Sequence, residues 1–416
     1  MARKKQTEDI LVGLDIGTSK VAAAIGRIRA DGTLEVIGFG SHPSRGLKKG
    51  VVVDIDSTVH AIQKAIDEAE RMAGIAVESV HVGIAGSHVK SRNSNGMVAI
   101  RNREVTPEDI DRVIDSAKAV PISSDERLLH VLPQNFIIDG QAGIRQPVGM
   151  AGVRLEAQVH LITASLSAVQ NIVKCVQRCN LEVGDVVLEQ LASAEAVLSE
   201  DEKELGVCLV DIGGGTTDIA IFHQGAIHHT GVIDVAGDQV TNDIAYGLRT
   251  PAPAAEEIKK KYGACLPTLV NDEDIEVPSV GDRPARCISR KLLAEIIQPR
   301  YEELFQLIHT HHLQERGFAN LVGAGVVLTG GTSRMPGAVE LAEEVFNMPV
   351  RLGAPARLEG VSENLEAPEY ATTVGLLRHA AANHRRNGGQ SARRGLDLSQ
   401  ASNLLERMKR WFASSF

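Results

Sequence analysis

CLVDIGGGTTDIAIF, residues 208–222, sets two short apolar runs on either side of three glycines and two threonines. Val, Ile and Phe make each run a strand, and the glycines make the join a tight turn. Asp211 closes the incoming strand and Asp218 opens the outgoing one. Three glycines weaken a hairpin unless the backbone there must bend sharply or stay bare for a ligand. LVGLDIGTSKVAAAI, residues 11–25, has the same plan, with Asp15 lying 196 residues before Asp211. A tight turn whose successive N–H groups face one way is an anion nest. Gly213, Gly214, Gly215, Thr216 and Thr217 offer one such set, while Gly17, Thr18 and Ser19 offer a second, with Lys20 adding a cation. Carboxylates do not bind phosphate, so Asp15 and Asp211 beside these turns imply a bridging Mg²⁺ held through water. Two ordinary glycine hairpins are the plainer reading. The repeated Asp-Ile-Gly core, once at the start of each half, argues against it.

A third stretch completes a nucleotide site. In LTGGTSRMPG, residues 328–337, Gly330 and Gly331 end a strand, and Pro336 is placed to start a helix. Bare backbone there lets a base or ribose lie against it, with Thr332 and Met335 in the same turn, at the carboxyl end of strands in an open α/β sheet. No G-x-x-x-x-G-K-[ST] loop is present.

The chain has 416 residues, more than one core accommodates, so two lobes are expected. Only 3% of residues are aromatic, so the cores must be built from Val, Ile, Leu and Ala. A net charge of −9 gives no nucleic-acid footprint. Cys175, Cys179, Cys208, Cys265 and Cys287 are odd in number and lack metal spacing, which fits reduced thiols in a cytoplasm. His228-His229 and His311-His312 have no further ligand pair at useful spacing and read as exposed histidines. No apolar run reaches the ~18 residues a membrane span needs.

Residues 10–41 read as three strands. Asp56-Ser57 offers a cap for an amphipathic helix ending near Ala73, followed by the strand SVHVGIAG. SHVKSRNSNG reads as a polar, turn-rich exit into a small α+β insertion, in which Thr106-Pro107 starts a helix. A second lobe opens near Leu205. A long helix is expected from Ser289 to Leu313, kinked or interrupted at Pro299. From Asn387 the composition turns polar, Gly/Ser-rich and basic, as in a flexible linker.

The last residues, LLERMKRWFASSF, are amphipathic. At 100° per residue Leu404, Leu405, Met408, Trp411, Phe412 and Phe416 fall within an arc of roughly 140°. Arg407, Lys409 and Arg410 lie outside that arc, and Arg385, Arg386, Arg393 and Arg394 stand upstream. So short a helix is unstable alone in water. An anionic membrane surface would stabilise it, burying the apolar face and meeting the cations. Docking on the protein's own body is the alternative, and the linker argues against it.

Asp15-Ile16-Gly17-Thr18, Asp211-Ile212-Gly213-Gly214-Gly215-Thr216 and Thr329-Gly330-Gly331, in this order, resemble the two phosphate motifs and the adenosine motif of the actin superfamily. Within it the chain is similar to the FtsA family of bacterial cell-division proteins. GLDIGTSKVAAAIG, the early insertion, the TVGLL helix and the amphipathic end carry that likeness. The resemblance implies an α/β, actin-like two-lobed ATPase fold. Its divisions would be a first lobe of 1–86 and 164–204, an inserted α+β subdomain of 87–163, and a second-lobe core of 205–236 and 317–386. An outer subdomain of 237–316, a linker of 387–402 and a membrane-targeting helix of 403–416 complete it.

By the same resemblance, Glu256, Lys259 and Lys260 in AEEIKKKYG approach adenosine. Gln190 falls where a water-orienting residue stands, with Glu189 beside it as the alternative acid. A glutamine is no general base near neutral pH, so slow hydrolysis or none is implied. The resemblance further implies ATP with Mg²⁺, homopolymers, and attachment of the FtsZ C-terminal peptide near Arg300 and Glu303. It places the protein peripherally on the cytoplasmic side of the inner membrane at the division site, in contact with later division proteins. A soluble sugar kinase-like enzyme of the same superfold is the competing expectation, and the amphipathic end is what a kinase does not need.

Overall fold

The computed structural model describes residues 9–386 apart from 272, 282 and 362. The linker and the terminal helix, with all the membrane-contacting residues expected on it, lie outside the described residues.

The chain opens with β1 (Asp9–Ile16), β2 (Lys20–Ile28) and β3 (Leu34–Pro43), then a small hairpin of β4 (Leu47–Lys48) and β5 (Val51–Val52). Helix α1 (Ile55–Ala73) and β6 (Ser79–Ile84) follow. Next come β7 (Val89–Ala99), α2 (Pro107–Lys118), β8 (Glu126–Ile138), β9 (Gln141–Ile144) and β10 (Arg154–Ser165). The chain continues through α3 (Leu166–Arg178), β11 (Glu182–Leu188), α4 (Glu189–Val197) and α5 (Glu200–Leu205). The second half holds β12 (Val207–Ile212), β13 (Thr217–His223), β14 (Ala226–Ile233), α6 (Gly237–Leu248), α7 (Ala252–Tyr262), β15 (Asp274–Val277) and β16 (Arg286–Ser289). It ends with α8 (Arg290–Leu307), β17 (Val326–Thr329), α9 (Ala338–Phe346), β18 (Val350–Leu352), β19 (Glu359–Gly360) and α10 (Ala371–Arg386).

Two sheets share one plan. The first runs β11-β6-β1-β2-β3-β19 and the second β14-β13-β12-β17-β18. Each has an antiparallel three-strand meander followed by parallel strands on the side of its first strand. The repeated glycine turn is therefore the β1–β2 connection in one sheet and the β12–β13 connection in the other. Both faces of the first sheet are apolar, as a sheet covered on both sides requires. Val12, Leu14 and Ile16 pack under α1, while Leu11, Ala22 and Ala24 face the opposite way, in a core shared with the second sheet.

That shared core holds α4 and α10, and here the structure corrects the expected division. Residues 317–386 were assigned to the second lobe, yet β19 pairs with β3, and α10 packs on β1, β2 and β6. Conversely α4, assigned to the first lobe, also packs on β12 and β13. The inward face of each sheet needs a helical cover, and the chain crosses over to supply both. The two helices meet backbone to backbone, since a Cβ added at Gly375 would lie 1.8 Å from the Ala192 carbonyl oxygen. The last turn of α10 returns to the start of the chain, where His384 Nε2 lies 2.9 Å from Asp9 Oδ2.

The insertion is a four-stranded sheet, β7-β10-β8-β9, with its own core under α2. Thr106 and Asp109 cap α2 reciprocally. The polar stretch expected to be turn-rich is instead β7, paired along its whole length with β10. Its polar side chains reflect an edge position, and ladder pairing overrides their weak strand propensity. Three boundaries also shift. Asp54 rather than Asp56 caps α1, α9 starts at Ala338 rather than Pro336, and α8 continues through Pro299 as one helix. No helix among the described residues is long and apolar enough to cross a membrane.

Candidate functional site

The two glycine turns face each other at the ends of their sheets, across a cleft of about 620 Å³. A Cβ added at Gly215 would stand 2.6 Å from Thr18 Oγ1, and one at Gly214 would stand 3.1 Å from the Ser19 Cβ. The third turn is tied to the second, because Thr332 Oγ1 donates to the Gly213 carbonyl at 2.7 Å. The start of α6 is tied there too, since Gly237 N–H donates to Gly213 O at 3.1 Å and Asp238 N–H to Gly214 O at 2.7 Å.

Asp15, Gly17, Thr18, Ser19, Lys20, Asp211, Gly213, Gly214, Gly215 and Thr216 line this cleft. Glu256, Lys259, Lys260, Gly330, Gly331, Thr332 and Met335 line it as well. Thr217 does not. It is fully buried, and its hydroxyl donates to the Val235 carbonyl at 2.7 Å. One residue further along the strand, the side chain falls on the other face of the sheet.

Gln190 is the second correction. It is wholly buried, with Nε2 3.5 Å from the Gly231 carbonyl of β14, whereas Glu189 lines the cleft. The first residue of α4 is thus aimed at the cleft and the next one away from it. Sequence reading also missed Asp218, Asp238, Arg334, Glu369, Tyr370 and Thr372, all on the cleft wall. Asp218 had a signal, since it opens the outgoing strand of the glycine turn. Glu369, Tyr370 and Thr372 had none, because a crossover remote in sequence brings them there.

The cations are held in place. Lys20 Nζ donates to the Glu369 carbonyl at 2.6 Å and stands 4.9 Å from the centre of the Tyr370 ring. Lys259 Nζ pairs with Glu256 at 2.6 Å and donates to Gly237 O at 3.0 Å and Thr241 Oγ1 at 2.8 Å. Lys260 pairs with the same Glu256 at 3.0 Å.

The floor is acidic. Burial, offset in part by Lys20 and reinforced by Asp211, raises Asp15 to about 6. Burial and then Asp211 raise Asp218 to about 8. Burial, then Asp15, Asp218 and Asp211, hold Glu189 well above the carboxylate range, and burial raises Asp211. Ser193 Oγ donates to Asp211 at 2.6 Å. One oxygen of Asp218 accepts from the Thr216 hydroxyl at 3.0 Å, while the other is buried with no partner. Three aspartates and a glutamate around one lysine fit a bound cation. Among the described residues no three acids, histidines or cysteines converge tightly enough to chelate a metal directly.

A stability prediction follows from Asp218. Its folded value, about 8, lies above the ~3.9 of an unfolded aspartate. The folded state therefore binds the extra proton, and stability falls as pH rises from about 4 to about 8. Asp218→Asn removes that penalty. In the ligand-free chain, thermal unfolding of Asp218→Asn is expected to match the parent at pH 4 and exceed it at pH 8, by on the order of a few kcal/mol. Equal melting points at pH 8 would refute the assignment.

Of the histidines expected at the surface only His311 is exposed: His229 is buried, and His228 and His312 are half-buried. His229 Nε2 and His312 Nδ1 are 2.9 Å apart, and His229 stacks on Phe318. Burial first, and then Arg316, push His229 down to about 2 and His312 to about 4, so both stay neutral at pH 7.

Two sheets of one plan, with opposed glycine turns over a carboxylate floor, define the actin-like ATPase fold. Solved structures agree. A chain of a PilM–PilN type IV pilus biogenesis complex matches with TM-score 0.64 at 17% identity, over 89% of this chain and 98% of that one. MreB5 of Spiroplasma citri bound to ADP matches with TM-score 0.55 at 14% identity, over 92% and 99%. The chain belongs to the FtsA family of cell division proteins. It is 58% identical to the cell division protein FtsA of Pseudomonas aeruginosa over 99% of both chains. It is 45% identical to that of Escherichia coli K12 over 99% of this chain and 100% of the other. The family model for cell division protein FtsA matches residues 208–375, and that for the SHS2 domain inserted in FtsA matches 86–163.

Proposed function

We propose that this chain binds ATP with Mg²⁺ in the cleft, self-associates, and holds FtsZ at the cytoplasmic face of the inner membrane through its terminal helix. The observation that carries the nucleotide part is the pair of opposed glycine turns above buried carboxylates. Gly17 N–H donates to Lys20 O and Gly213 N–H to Thr216 O, so the donors that would cradle the phosphates are those between, on Thr18, Ser19, Gly214 and Gly215. Lys20 exchanges the Glu369 carbonyl for a phosphate oxygen, and Glu256, Lys259 and Lys260 border the adenosine. Asp15, Asp211 and Asp218 would hold the Mg²⁺ through water. When bound, the ion neutralises phosphate charge. Glu189 takes the place first given to Gln190 beside the attacking water. MreB5 of Spiroplasma citri has been solved with AMPPNP and with ADP, and a MamK double helical filament shares this fold with TM-score 0.51. Both support the nucleotide and polymer parts. Family membership leaves the sugar-kinase reading without support.

Titration of the full chain with a fluorescent ATP analogue tests the nucleotide part. Saturable binding that weakens when Mg²⁺ is chelated is expected, and absence of binding at millimolar analogue would sink it.

For FtsZ, α6 and α8 carry the surface. The Arg300 guanidinium holds Asp243 with two bonds of 2.6 and 2.9 Å and also pairs with Glu303. Tyr246 beside it on α6 is 89% exposed. Arg300→Glu reverses the charge facing a peptide and leaves Asp243 unpaired. Affinity for the FtsZ C-terminal peptide, read by fluorescence anisotropy, is expected to drop about tenfold or more. An unchanged affinity would move the site elsewhere.

A further inference from the structure

We infer that the inserted sheet positions two of the cleft carboxylates, Glu189 and Asp218, by holding the backbone behind each through His130 and His160. This rests on the nucleotide reading above. His130 pairs across strands with Ile162, and His160 with Leu132, so all four side chains stand on one face of the inserted sheet. Leu132 and Ile162 enter the core shared by the two main sheets, alongside Leu188, Phe222 and Ile227. The histidines flank this apolar contact and reach one main sheet each.

Toward the first sheet, Leu188 N–H donates to His130 Nε2 at 3.1 Å. Leu188 ends β11, and the next residue is Glu189. Toward the second sheet, His160 is 1% exposed, and its Nε2 lies 3.0 Å from Thr230 Oγ1. Its Nδ1 lies 2.6 Å from Asn93 Oδ1, and Asn93 Nδ2 in turn donates to the His228 carbonyl. The Asn93 amide orientation makes His160 Nδ1 a donor and leaves Nε2 to accept the Thr230 hydroxyl proton. Ser91 Oγ adds a bond of 2.9 Å to the Thr230 carbonyl, and Gln134 Nε2 one of 2.8 Å to Ile227 O. Thr230 lies on β14, whose Val232 pairs directly with Asp218. The edges of β7 and β14 are thus joined by side chains instead of a backbone ladder. A shift of the inserted sheet moves Leu188 and β14 together, and with them Glu189 and Asp218. A partner pulling on the insertion would thereby alter the cleft, and a ligand in the cleft would stiffen the insertion.

The test uses the full chain with His130→Leu, His130→Gln and Thr230→Val. The first removes the acceptor of Leu188 N–H and the third the Thr230 hydroxyl, each at nearly constant volume, and glutamine at 130 restores an acceptor. Without nucleotide, amide exchange is expected to rise about fivefold or more at 188–191 in His130→Leu and at 217–219 in Thr230→Val, the loss of one buried bond. Affinity for the fluorescent ATP analogue with Mg²⁺ should fall several-fold in both, and His130→Gln should recover it. Parental exchange and parental affinity in both variants overturn the inference, and so does raised exchange with unchanged affinity. If the parent itself takes no analogue, the nucleotide reading fails, and the exchange measurements alone decide whether the insertion holds these segments.

Discussion

Gly215→Val is expected to abolish nucleotide binding. The glycine has no room for a side chain, since its Cβ would stand 2.6 Å from Thr18 Oγ1 and 3.1 Å from the Cα of Lys49. Valine therefore forces the two turns apart, and neither set of N–H groups can then close on the same phosphates. Each hydrogen bond to a charged group is worth about 1.5–3 kcal/mol, so losing two weakens binding on the order of a hundredfold or more. The fold itself should survive, because the turn lies at the sheet's end and the paired strands remain intact. Titration with the ATP analogue, alongside a melting curve without ligand, separates the two effects. Parental affinity in this variant would show that phosphates do not lie between the turns.

Removal of residues 388–416 is expected to abolish sedimentation with anionic vesicles. Arg407, Lys409 and Arg410 contribute about 1 kcal/mol each near such a surface, and the buried apolar face adds more. Their joint loss corresponds to a hundredfold or greater fall in partitioning. With labelled FtsZ present, the full chain should carry it into the vesicle pellet and the shortened chain should leave it in solution. Retained sedimentation of the shortened chain would place the membrane contact elsewhere. A full chain that ignores the vesicles would give the tail another role.

Most of the cleft was legible because the proposed phosphate binding imposes a local demand. Glycines must sit together where backbone meets ligand, and an acid must end the strand beside them. The demand is met within a dozen residues, at 11–25 and again at 208–222, so the sequence displays it. Gln190 and Thr217 show where that logic stops. Which of two neighbouring side chains faces the cleft depends on where α4 starts and on strand register, and one residue of phase reverses the answer. Glu369 and Tyr370 were invisible because a crossover delivers them. The same holds for α10, which packs on β1, β2 and β6 and against α4 at Gly375, all remote from it in sequence. Strand β7 was missed because its polar side chains bond to the carbonyls of β14, a partner 130 or more residues away.

The return of α10 to the start of the chain has one more consequence. His384 touches Asp9, and the Arg385 side chain donates to the Gly32 carbonyl, so entry and exit of the described fold share a corner. The path is nearly a closed ring. Entry to the described residues at Asp9 and exit from them at Arg386 lie at this corner, and the basic residues Arg3, Lys4 and Lys5 precede Asp9 in sequence. The ring also means that neither half is self-sufficient. A cut near residue 205 would strip the first sheet of β19 and of its covering helix, whereas a circular permutant joined at this corner would keep every strand neighbour it has now.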